Sequence, residues 1–145
     1  MNTDLCLFNE GSVTIPQGFV DRTINIIADA QAQQPPVNIS RDKLPVGMAL
    51  DDYINSQISE LQRSVQGWEG QIQAGWVLGD NVCTGIGLDH SFLRPDGVRI
   101  CQKQAIFDVG DGTLLLFSSS KTSGFSAAEE ACFQQVIASF TPRGA

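Results

Sequence analysis

Val82–Leu93 (VCTGIGLDHSFL) and Val98–Val109 (VRICQKQAIFDV), joined through Arg94 and Pro95-Asp96-Gly97, are the stretch on which the reading of the fold turns. Both segments read as strands. The link is turn chemistry, since proline presets φ, aspartate bonds its own backbone and glycine takes a positive φ. The pair is therefore antiparallel. Gly79-Asp80-Asn81 ties it back to a strand over about Gln71–Leu78, and Asp111-Gly112 turns forward into a last strand, Leu114–Ser118. Four strands in succession, each reached by a tight turn, make a meander.

Helices flank this run. Leu50–Val65 places Leu50, Tyr53, Ile54, Ile58, Leu61 and Val65 at helical spacing, with Asp51 and Asp52 suited to the first turn and Gly67 as its stop. Ser126-Ala127-Ala128-Glu129 is a capping box; the stripe Phe133, Val136, Ile137 and Phe140 follows, and Pro142 stops it. Upstream, Leu5–Phe8 and Ser12–Ile15 form a hairpin, Thr23–Ala28 is a β-branched strand, and Val37–Arg41 is another. The expectation is a single α+β domain over residues 1–145, an antiparallel sheet of about six to seven strands flanked by two helices.

Composition narrows the function. A net charge of −7 with nine scattered basic residues does not suit a nucleic-acid partner or unassisted docking on an anionic membrane. No run of about 18 apolar residues offers a membrane span, and Met1–Cys6 lacks the basic and apolar regions of a signal peptide. The expected location is cytoplasmic, with Cys6, Cys83, Cys101 and Cys132 as reduced, small core residues.

Residues that could act together in chemistry are hard to find. His90 is the single histidine, and in Asp89-His90-Ser91 consecutive strand residues alternate faces and cannot converge as a triad. It reads as a partly exposed strand residue. One histidine without a cysteine pair falls short of a zinc set. Gly85-Ile86-Gly87 lacks the third glycine of a dinucleotide fingerprint and reads as a bend or bulge. Asp108-Val109-Gly110-Asp111-Gly112 is a hairpin turn rather than a calcium loop. The expectation is a binding protein, not an enzyme, with no catalytic residue, metal or cofactor.

Two glutamines stand where apolar residues belong. Gln57 lies inside the helical arc of Tyr53, Ile54, Ile58 and Leu61, and Gln104, with Gln102, alternates in phase with Val98, Ile100 and Ile106. A buried amide without partners costs about 1–3 kcal/mol, so each must bond to backbone or water, or belong to an apolar groove with a few polar groups that fix a ligand.

Ile15-Pro16-Gln17-Gly18-Phe19-Val20-Asp21-Arg22-Thr23-Ile24-Asn25-Ile26 resembles the opening of the Eag chaperones, adaptors for type VI secretion effectors in a DcrB-like, PsbP-related fold family. The likeness continues through Ile39-Ser40-Arg41-Asp42, Asp52-Tyr53 with Gln57, Lys103-Gln104-Ala105-Ile106-Phe107 and Thr141-Pro142-Arg143, nearly the whole chain in the same order. It implies a cytoplasmic homodimer. Such a dimer shields the N-terminal transmembrane helices of a PAAR-containing effector and aids loading onto the VgrG spike, without inserting into a membrane itself. By position, the groove would comprise Ile24, Ile26, Asn38, Ser40, Gln57, Val65 and Gln104. Asn38 and Val65 depart from the apolar residues the family has there, and Asn38 makes that edge more polar. Whether Ile24 and Ile26 face a groove or the core is open, because alternate isoleucines in a strand suit either. The rival reading is a small-ligand-binding or structural module on the same fold.

Overall fold

The computed structural model describes residues 4–144. A hairpin of β1 (Leu5–Phe8) and β2 (Gly11–Thr14) stands apart as a two-stranded sheet. Then come β3 (Asn25–Ile27), β4 (Val37–Lys43), α1 (Leu50–Ser64), β5 (Gln66–Leu78), β6 (Cys83–Leu93), β7 (Arg99–Gly110), β8 (Thr113–Lys121) and α2 (Ala127–Ala138). The second sheet has six strands in the order β3-β4-β8-β7-β6-β5, every neighbouring pair antiparallel. The fold is α+β, as the meander and the flanking helices predict.

Strict alternation along the strands makes two cores on one sheet. On one face Val37, Leu78, Ala105, Phe107, Leu115 and Phe117 pack with Phe133 and Ile137 of α2. On the other, Ile106 and Leu114 pack with Tyr53 and Ile54 of α1, edged by Ile58, Ile86 and Leu116. β7 shows the switch residue by residue, with Ala105 and Phe107 toward α2 and Ile106 toward α1. The capping box of α2 forms as read: Glu129 N–H donates to Ser126 Oγ, and Ser126 N–H donates to the Glu129 carboxylate. Among the described residues no helix is long and apolar enough to cross a membrane.

Several local expectations shift. Gly67 does not stop α1; the chain leaves the helix at Val65 in an extended conformation and enters β5 at once. Gly67 instead sits at φ +64° inside a register shift between Gln66 and Glu69, where a side chain would crowd Leu93 and Arg99. Gly85 and Gly87 are not the bulge themselves. The irregularity lies opposite, between Ala74 and Trp76 of β5, with Gly75 at φ +84°. Gly87 is bare because Trp76 occupies the place of a Cβ, which would lie 2.1 Å from its indole nitrogen. The strand over Thr23–Ala28 contracts to Asn25–Ile27, the stretch that β4 pairs. The cysteines are free but half-buried rather than central to the core.

Candidate binding face

The sheet face under α1 carries the glutamines. Directly paired residues of adjacent strands point the same way, so the register reads off rows across this face. One row runs Ile26, Asn38, Ser118, Gln104 and Leu88; the next runs Ser120, Gln102, His90 and Gly70. A third holds Ser40, Leu116, Ile106 and Ile86. On this face β4 and β8 carry the half-buried Asn38, Ser40 and Ser118, and the exposed Ile26 of β3 stands at the sheet edge.

The orientation of Ile26, open in the sequence, is settled by the partner of Asn25. Arg41 reaches back from β4 and its Nη1 donates to Asn25 Oδ1 at 2.7 Å, which fixes Asn25 to the α2 side. Ile26 therefore turns to the α1 side, and Ile24 immediately precedes the strand. Neither is core: Ile24 is 56% and Ile26 65% exposed.

Between α1 and the sheet lies a cavity of about 150 Å³ whose walls include Gln57, Leu61, Leu88, His90, Gln102 and Gln104. Gln57 and Gln104, distant in sequence, thus line one space. Asn38 and Ser40 share the face outside it. Val65 does not line the cavity; it occupies the helix C-cap, where the chain turns into β5. Tyr53 anchors the start of the helix by donating its hydroxyl to the Asp42 carboxylate, and burial together with that carboxylate raises the phenol well above its usual range.

His90 corrects the sequence reading. It is 5% exposed rather than partly open, and lines the cavity on the same face as Gln102 and Gln104. Trp68 Nε1 donates to His90 Nδ1 at 3.0 Å. Gly70 permits this, since a Cβ there would lie 2.6 Å from the Trp68 ring and 2.8 Å from His90 Cβ. Burial lowers the histidine pKa below 6.5, against the opposing pull of Gln104, Asp89 and Gln102. The Gln102 and Gln104 amides stand beside the ring without completing a bond to Nε2, which is buried and unpartnered, as is Asn38 Oδ1. The missed signal was an aromatic donor and a bare glycine on the neighbouring strand.

The opposite face has its own charged cluster. Lys103, 4% exposed, holds Asp89 at 2.8 Å, with Glu130 at 3.9 Å and the Trp76 ring below. Among the described residues no three potential ligands gather to hold a metal ion.

The DcrB family model matches residues 10–139, which takes in every strand of the six-stranded sheet and both helices. The chain belongs to the DcrB family. No curated protein matches this DcrB-family chain. A solved structure of a protein of unknown function from Pseudomonas aeruginosa is similar at a TM-score of 0.72 and 20% identity, covering 100% of both chains. At that identity the likeness shows the fold of this DcrB-family chain alone.

Proposed function

We propose that this DcrB-family protein is a type VI secretion chaperone of the Eag kind, without catalytic activity of its own. Its face beside α1 receives the N-terminal transmembrane helices of a PAAR-containing effector in the cytoplasm and helps deliver the effector to the VgrG spike. One observation carries the reading: the exposed Ile26, with exposed Ile24 just before it, stands at the edge of the sheet face where Gln57 and Gln104 line one cavity. Apolar helix surface is worth about 25 cal/mol per Å² when removed from water, so a partly apolar face opposes aggregation of such segments. Helices with small residues bring backbone close to a partner, and the glutamine amides both donate and accept. The residues of the groove are Ile24, Ile26, Asn38, Ser40, Gln57 and Gln104, with Val65 at its margin.

The same reading includes a homodimer. Leu5, Leu7, Phe8, Val13, Phe19 and Val20 are all exposed in the N-terminal portion, and the apolar residues on either face of the β1–β2 hairpin are suited to contact with a second copy. Sedimentation should then give twice the chain mass.

The test is co-expression with a fusion carrying an effector's N-terminal apolar segment. The chaperone should keep the fusion in the supernatant; equal solubility with an unrelated acidic protein would defeat the idea. Gln57→Ala combined with Gln104→Ala should weaken the complex while shifting the melting temperature little. The rival, a small-ligand module, draws on the cavity under α1. At about 150 Å³, that cavity is smaller than the roughly 300–1,000 Å³ usual for such ligands.

A further inference from the structure

The two nitrogens of His90 have different fates. Nδ1 is taken by the Trp68 indole N–H, so in the neutral ring the proton resides on Nε2. Nε2 is buried without a partner, and the ring lines the cavity between α1 and the sheet. A buried donor lacking an acceptor is unfavourable, and native structures keep few of them. Here the fold preserves it: Trp68 fixes the tautomer, and Gly70 leaves room for Trp68 to do so.

We propose that His90 is a binding residue of this face, and that its Nε2–H serves a serine or threonine hydroxyl which a bound apolar helix inserts into the cavity. The inference rests on reading the face as a helix-binding groove. The cavity volume of about 150 Å³ admits a short side chain, not a second helix. The acceptor is uncharged, because the ring facing it is held neutral by the Trp68 bond and has no positive charge to offer an anion. A hydroxyl suits the place on both counts. It accepts from Nε2–H and donates its own proton to the helix carbonyl one turn back or to the oxygen of Gln57 or Gln104. Water-filled alternatives are replaced at little loss, since the hydroxyl reproduces the bonds a water would make.

The probes are a Lys-flanked Ala/Leu peptide of about eighteen residues and its counterpart with serine at every fourth position. The serine peptide should bind the wild-type protein about tenfold more tightly, the equivalent of one good hydrogen bond in a dry site. His90→Phe should abolish that preference. His90→Gln, which can accept from Trp68 and still donate, should restore it. In the wild type, the imidazole Nε2–H resonance of this sole histidine should move on binding the serine peptide and stay put with the other. That measurement needs no variant to fold. If the wild type binds both peptides equally, or His90→Phe keeps the preference, the role of His90 is overturned while the groove stands. If neither peptide binds the wild type, the groove reading falls and this inference with it.

Discussion

His90 ties a residue-scale measurement to the pH axis. Its pKa is lowered in the fold, chiefly by burial. The unfolded chain therefore takes up a proton first as pH falls through about 6.5, while the native ring stays neutral. Stability is fully present above that value and declines below it, until the native ring also titrates. The carboxylates with lowered values, Asp21, Asp29, Asp96 and Glu129, act at lower pH, their contribution being lost as pH falls through and below the ordinary carboxylate range. The window from about 6.5 down to the onset of carboxylate protonation therefore belongs to His90, the chain's one histidine. Melting temperature should fall across this window in the wild type and stay flat in His90→Gln; a matching slope in the variant would refute the assignment. None of this could be read from Asp89-His90-Ser91, because the burial comes from Trp68 across a strand pair. Gln57 and Gln104, by contrast, were legible: each breaks a pattern that its own neighbours establish.

At the scale of the element, α2 offers the clearest case of local code. Ser126 and Glu129 exchange bonds as the spacing predicts, and Glu129 also holds Lys121 of β8 at 2.6 Å. Ser126→Ala should cost about 1 kcal/mol, as cap losses typically do. Glu129→Ala removes both the reciprocal bond and the tether to the sheet, so its loss should exceed that of Ser126→Ala in urea unfolding. A smaller loss would mean that Lys121 contributes nothing. The ends of α1 and β3 were less legible. Gly67 follows an apolar stripe and so resembles a helix stop, but the glycine is needed one step later, at a bulge set by Leu93 and Arg99. The parity of Ile24 and Ile26 was undecidable because an edge strand of alternating isoleucine has no preferred face until something fixes its polar neighbour. Arg41 does so for Ile26 through Asn25. Exposed as they are, Ile24→Ser and Ile26→Ser should each change stability by less than about 0.5 kcal/mol yet reduce co-solubilisation of an apolar segment. A large stability loss would place them in the core after all.

For the whole molecule, one sheet with a separate core on each face poses the question of whether the two halves unfold together. The strands argue that they do. Ala105, Ile106 and Phe107 are consecutive and fully buried, so β7 cannot release one face without disturbing the other. The chain carries a reporter on each side: Trp68 lies against His90 under the α1 face, and Trp76 meets Phe133 of α2 edge-on at 5.8 Å between centroids. Two single-tryptophan variants, Trp76→Phe and Trp68→Phe, should each show one denaturant transition. Each fluorescence midpoint should coincide with the far-UV midpoint of the same variant, as two-state behaviour demands. Comparison within a variant matters, because each substitution shifts stability by its own amount. If the Trp68 signal is lost before the far-UV signal, the α1 face opens on its own, and the groove is then a locally labile layer rather than part of one cooperative core. The same ordering would also predict that an occupant bound beside α1 raises the Trp68 midpoint and leaves that of Trp76 behind.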